Sequence, residues 1–330
     1  MSGAGPTHAS ATDPSHDIVA LGEAMIEFNE GRTGASRSWL QGFGGDTSNV
    51  AIAAARLGAR SAYVTRVGDD AFGRRLLALW GSEGVATDGV SVDADAPTGV
   101  YFVSHGAQGH EFSYLRQGSA ASRMTPASLP LALLRSTRVL HLSAISQAIS
   151  SSACDTCFAA IDIARAAGAR IAYDTNLRLK LWPLPRARAV ILETLRRVDW
   201  ALPGLDDASL LFGQVDPAQI VEACHAQGCA VVVLKLGRDG CIVSDRDRSE
   251  RIDGVRVASV DATGAGDCFD GAFIARMVAG DDAFAAARYA NKAAAIATIG
   301  YGAVAPLPRA ADVDALDQHD REDRPTVDGG

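Results

Sequence analysis

Strand-like apolar runs alternate with helical stretches along most of this 330-residue chain, and that alternation limits the fold more than any other feature. From Asp17, DIVALGEAMIEF reads as a buried strand followed by a second extended segment. GGDTSNVAIAAARLG then reads as a helix, with Asp46 or Thr47 capping its start and Gly58 ending it. SAYVTRVG reads as a strand, and AFGRRLLALWGSEG as a helix stopped near Gly84. After one interruption the rhythm resumes with RVLHLSAIS, an Ala-rich helix ending at Gly168, RIAYDTNLR, PRARAVILETLRRV, DWALPG, ASLLFG, DPAQIVEACHAQG and AVVVLKLG. Repeated βα units of this length imply an α/β fold with a mostly parallel, doubly wound sheet and helices on both faces. Ligands of such sheets bind beyond the carboxyl ends of the strands. The loops to read for chemistry are therefore those after SAYVTRV, RIAYD, AVVVLK and the strand expected before DATGAGD.

The interruption is residues 98 to 116, TGVYFVSHGAQGHEFSYLR, where two β-rich runs flank a Gly-Ala-Gln-Gly turn and predict a hairpin. Inserted in an α/β chain, such a hairpin predicts a small sheet over one end of the main domain. That domain is expected to span 17–311, with the small sheet built from about 24–45 and 97–123. The small, polar MSGAGPTHASATDPSH has no apolar centre and predicts a disordered extension over 1–16 rather than a signal peptide. DVDALDQHDREDRPTVDGG, 312–330, reads as an acidic tail of the same kind.

A net charge of −8, from 31 basic and 39 acidic residues, argues against a general binder of nucleic acid or anionic membrane. No apolar run is long enough to predict a membrane span. The six cysteines lie in apolar, element-like contexts, so free thiols in a reducing cytoplasm are expected. Cys154 and Cys157 form a C-x-x-C, but inside an Ala-rich helical pattern with no second Cys or His pair nearby, which disfavours a redox or zinc role.

Residues 261 to 273, DATGAGDCFDGAF, carry the chemistry. Glycines at a helix start free backbone N–H groups to face an anion, and the helix dipole adds to the attraction. An acid beside a bound phosphate, here Asp267, repels it unless it has a chemical task. It would accept the proton of an attacking hydroxyl while the N–H groups of 264 to 266 hold the transferring phosphoryl group. The bland alternative is a tight turn followed by a helix-start carboxylate. Gly271 weighs against it, because a mid-helix glycine costs about 1 kcal/mol relative to Ala and suggests a close approach to that helix. The Walker-type, dinucleotide and nucleophile-elbow glycine motifs are absent.

DATGAGDCFDGAF, together with GGDTSNVAIAAARLG, VGDDAFGRRL, VLKLGRDG and the closing GYGAVAP, resembles the ribokinase-like, or pfkB-type, family of carbohydrate kinases, in the family's order from about Asp17 to Pro308. The resemblance implies a ribokinase-like fold with a small β lid, and ATP with Mg2+ as cofactors. It implies Asp267 as catalytic base and Gly264, Ala265 and Gly266 as the anion hole. On the substrate side it implies Gly45, Asp46, Asn49, Tyr101, Tyr114, Arg116 and Arg178; on the nucleotide side, Asn176, Lys235, Gly237, Gly240 and Asn291.

Within the family, GGDTSN, YLRQGSAAS and YDTNLRLKLW resemble the kinases of 2-keto-3-deoxygluconate, a six-carbon sugar acid. The chemistry agrees, since a substrate carboxylate calls for arginines with bidentate reach. The chain departs from the family at PGLDDAS, where Gly204 and Asp207 stand in place of the usual Asn-x-x-Glu linked to magnesium. Asp207, through water, or Asp206 then remains for the metal, and Asp261 resembles a position linked to a monovalent cation such as K+ in some members. The rival readings are a kinase of a neutral sugar or nucleoside, and a sensor that kept the fold without turnover. The open edge of a small sheet invites a second copy, so a homo-oligomer is expected.

Overall fold

A computed structural model describes residues 14–31, 38–106 and 109–322. In chain order the strands are β1 (His16–Leu21), β2 (Met25–Glu30), β3 (Trp39–Gly44), β4 (Ser61–Gly68), β5 (Ala86–Asp93), β6 (Gly99–Gly106), β7 (Gly109–Leu115), β8 (Thr137–Ser143), β9 (Arg170–Asp174), β10 (Trp200–Ala201), β11 (Val231–Lys235), β12 (Cys241–Ser244) and β13 (Ser249–Ile252). Nine of them form one sheet in the order β13-β12-β11-β10-β9-β8-β1-β4-β5. It is parallel from β11 through β5, with β12 and β13 antiparallel at one edge.

Both faces of this sheet are covered, which is why its central strands read as unbroken apolar runs. Ile18 and Ala20 of β1 point into a core shared with Ile52, Phe273 and Ala287. Val19 and Leu21 point to the opposite core, with Ile161, Ile191 and Ile220. The period-2 alternation of a strand thus divides one run of four residues between two cores.

The other four strands form a separate sheet in the order β3-β2-β6-β7, with β2 and β6 parallel and the other pairs antiparallel. Its hairpin is the interruption seen in the sequence, and the two central residues of the turn, 107 and 108, lie outside the described residues. The small sheet's own core is Met25, Tyr101 and Val103, with Phe112 packed against it.

Several expectations are corrected. Ser15 and His16 are ordered, since β1 begins at His16; residues 1–13 lie outside the described residues. The stretch expected as a tail from 312 instead carries a helix, Ala310–Glu322, whose Val313 is fully buried in the main core. No strand immediately precedes DATGAGD: β13 ends at Ile252, and residues 253–260 run irregularly to the helix Ala265–Ala279. Neither Asp46 nor Thr47 caps the helix Asp46–Arg56; its N-cap is Gly45, at φ 118°. Among the described residues no helix is long and apolar enough to cross a membrane.

Candidate active site

The exits of β1, β8, β9 and β11 gather around the starts of two helices, Asp46–Arg56 and Ala265–Ala279. This is the carboxyl end of the parallel sheet, where β1 and β8 lie side by side and the strand order reverses. The loops after β9 and β11, two of those singled out in the sequence, open at this end. The loop after β4 serves another purpose: Asp70 caps the next helix and accepts the Thr98 N–H and Oγ1–H, tying the small sheet's approach to the main domain.

Glycine geometry brings the two helix starts together. At Gly45, a Cβ would stand 2.6 Å from the Glu23 carbonyl oxygen, and the positive φ would strain any other residue. At Gly271, a Cβ would stand 2.7 Å from the Val50 carbonyl oxygen and 2.8 Å from the Ala53 Cβ. The close neighbour predicted for that mid-helix glycine is therefore the other helix, and the contact is one of packing.

Across this contact Asn49 Nδ2 donates to Asp267 Oδ2 at 2.7 Å. Burial, then the Asp46 carboxylate, push the Asp267 carboxyl up to about 7, against the Asn49 hydrogen bond and Lys235, which hold it down. Asp46 is itself pushed up by burial, and Ser143 Oγ donates to it. The acid opening the helix is thus poised near neutrality, as a general base should be. Of the three N–H groups expected to hold an anion, that of Ala265 already donates to the Ala262 carbonyl at 3.2 Å.

Beside this helix start opens a cavity of about 700 Å³. Lys235, Gly237, Gly240 and Asn291, all expected on the nucleotide side, line it, as do Ala265 and Gly266. Asn176 does not; it is buried, and its N–H donates to Asp174 Oδ1 in a local turn. Asn291 reaches the carbonyls of Ile252 and Asp253 from Nδ2.

On the other side stand the substrate candidates. Tyr101, buried, donates its hydroxyl to Glu27 and stacks on the half-exposed Tyr114 at 5.8 Å. Burial pushes the Tyr101 hydroxyl up, and Asp267 is among the charges that reach it, so the small sheet faces the base. Arg116 is paired: Nε donates to Glu23 Oε2 at 2.8 Å, and its Nη2 also contacts that oxygen. Arg178 is half exposed, with Nη1 donating to the Leu177 carbonyl at 3.0 Å and 3.9 Å from Asp207.

The metal candidates separate. Asp207 Oδ2 accepts the Leu177 N–H at 2.8 Å, and burial pushes its carboxyl up; Asp206 is exposed. Asp261 accepts the Thr263 N–H and Oγ1–H on one oxygen and the Gly302 N–H on the other, stitching two loops together. Among the described residues no group of three or more His, Cys, Asp or Glu could enclose a metal. A single carboxylate fits a magnesium ion that keeps most of its waters and rides on phosphates.

Sequence reading missed Glu23, Glu27, Asp174 and Asp270, all buried carboxylates around the site. Asp174 closes a strand, and Asp270 lies one turn after Gly266 inside an apolar helix. An acid in such a place was the available signal.

A carboxyl poised near neutrality at a helix start, beside a cavity of nucleotide size, is the equipment that phosphoryl transfer calls for. The family model for the pfkB family carbohydrate kinases matches residues 15–310. The chain is 35% identical to fructokinase-2 of Solanum habrochaites, over 89% of this chain and 94% of that protein. It is 36% identical to the 2-dehydro-3-deoxygluconokinase of Thermoproteus tenax, over 89% and 93%. The crystal structure of a PfkB protein from Polaromonas sp. JS666 superposes with a TM-score of 0.82 at 32% identity, covering 92% of this chain and all of that one. The chain belongs to the pfkB family of carbohydrate kinases, and its fold is ribokinase-like.

Proposed function

We propose that this kinase phosphorylates the terminal hydroxyl of 2-keto-3-deoxygluconate with ATP as donor. Arg178 carries the reading: its guanidinium is half exposed and, among the described residues, its nearest carboxylate partner, Asp207, stands at 3.9 Å, beyond ordinary hydrogen-bond distance. A cation so placed is open to a substrate carboxylate. The Thermoproteus tenax relative, named for that activity, supports the same reading. Asp267 takes the hydroxyl proton, held toward the substrate by Asn49. The Gly264 and Gly266 N–H groups receive the phosphoryl oxygens, and closure of the small sheet excludes water that would otherwise hydrolyse ATP. Magnesium, near Asp207, would supply charge neutralisation on the phosphates.

One observation favours a second reading. Arg116 is neutralised by Glu23, which leaves one open cation rather than two and suits a neutral sugar such as fructose. ADP release with magnesium and ATP against 2-keto-3-deoxygluconate, its galacto epimer, gluconate, fructose and ribose separates them. The keto-deoxy acids should win by orders of magnitude, and Arg178→Ala should weaken their use by about 10-fold to 100-fold, the scale of a lost charge-assisted hydrogen bond, more than that of any neutral sugar. Preference for fructose in the wild type would transfer the assignment to the neutral sugar.

A further inference from the structure

Beneath the anion hole lies an ionic cluster that proton abstraction alone does not require. Lys235 Nζ donates to both oxygens of Asp270 at 2.9 Å and to Asp174 Oδ2 at 3.2 Å. Asp270 is fully buried, and Asp174 and Lys235 nearly so. Stability is a poor explanation for such a group, because buried ion pairs are often matched or bettered by apolar residues of similar volume. Asp270 sits in a helix whose neighbours Phe269, Ala272 and Phe273 are all core residues, where an apolar side chain would pack readily.

The placement indicates another use. Gly266 and Asp270 are four residues apart on one helix and share a face. A Cβ on Gly266 would stand 3.8 Å from Lys235 Nζ, and both residues line the nucleotide cavity. The ammonium therefore sits where the cavity meets the anion hole, gripped from the end of β9 by Asp174 and from the helix by Asp270. We propose that Asp270, with Asp174, is a positioning residue that fixes the Lys235 ammonium against Gly266, facing the phosphoryl group in transit.

The charges around the cluster fit this role. Burial opposes the Lys235 charge, but Asp174 and then Asp270 outweigh it and raise the ammonium above its ordinary value. His141, at the centre of the sheet, faces Asp174 and Lys235; burial lowers it to about 4, so it adds no charge. Asp267 faces Asp46 and Asn49 from the first helix, and Asp174 and Lys235 from the strand ends; Asp270 in turn feels Asp267. Burial pushes the Asp270 carboxyl well above its ordinary value, and the Lys235 ammonium opposes that push. Replacing Asp270 by Asn takes away the acid that shares Lys235 and leaves more of the Lys235 field acting on Asp267, which lowers the pH at which the base ionises.

The test is Asp270→Asn in the full chain, with steady-state kinetics across pH and a thermal melt. The KM for ATP should rise by about tenfold or more, the scale of a lost charge-assisted hydrogen bond, while the KM for the sugar holds. The acid limb of kcat/KM should move to lower pH. A lower melting temperature with ATP affinity and acid limb unchanged would make Asp270 structural only and overturn the proposal. If Asp270→Asn does not fold, Lys235→Met combined with Asp270→Asn removes both charges and should fold with the same loss for ATP; wild-type ATP affinity in that protein also overturns it. The wild type gives an independent readout, since the chain has only three lysines, Lys180, Lys235 and Lys292. With lysine labelled by nitrogen-15, the Lys235 Nζ resonance should shift on adding ADP, and a resonance that stays in place counts against the assignment whatever the variants do.

Discussion

At Asp267 the deciding quantity is its protonation state near neutral pH. Burial, with Asp46 second, raises the carboxyl to about 7, and a base works only when ionised. Activity should therefore fall as pH drops through about 7, with kcat/KM losing on the order of tenfold per unit below it. Because Asp46 and Asp267 face each other, the limb belongs to the pair, and Asp46→Asn should shift it to lower pH. Asp267→Asn should bind both substrates and lose about 10²-fold to 10⁴-fold in kcat, the usual share of a general base. Near-normal turnover in that variant would remove Asp267 from the chemistry. The sequence made this residue legible because its clue is local: two glycines and an acid at one helix start. Its partner Asn49 lies 218 residues away, and the pairing of Arg116 with Glu23 spans 93; no local pattern encodes either contact.

The element that sets the geometry of Asp267 is the crossing of the Asp46–Arg56 and Ala265–Ala279 helices. Gly271 lets their backbones touch, and that contact puts Asn49 within 2.7 Å of Asp267. Gly271→Ala should drive a methyl into the Val50 carbonyl and cost about 1–3 kcal/mol of stability, the usual penalty of overpacking. The same shift should cost about 10-fold to 100-fold in kcat, because small misplacements of a base are amplified in rate. Gly81→Ala is the control: that helical glycine has open space around it, and the change should stabilise by up to about 1 kcal/mol. Equal behaviour of the two variants in melts and turnover would show that the crossing does not set the rate. Periodicity made most helices and strands readable. It failed at Ala310–Glu322, a polar stretch anchored by the fully buried Val313, and at the irregular run before DATGAGD, where no strand pairs.

In the whole molecule the two sheets have unequal support. The large sheet is clothed on both faces, and the sequence announced it through repeated βα units. The small sheet was expected from two segments, about 24–45 and the hairpin within 97–123; the parallel pairing of β2 with β6 joins them across the chain, and no pattern within either strand reveals that register. One of its faces carries only a few core side chains, Met25, Tyr101 and Val103, while Ile26 and Val100 join it to the main core, and the main sheet has a full layer on each side. Elements with few buried contacts open more often, and those that close over ligands are drawn from that end of the range. Hydrogen exchange should accordingly be faster in peptides from 38–44 and 99–104 than in β1 and β8, on ligand-free protein. Adding sugar and an unreactive ATP analogue together should slow the small sheet while leaving β1 unchanged, because closure orders Tyr101 and its neighbours over Asp267. Strong protection of the small sheet before any ligand is added, unchanged afterwards, would mean that it is a fixed wall of the site, and water exclusion would then have to come from the substrates themselves.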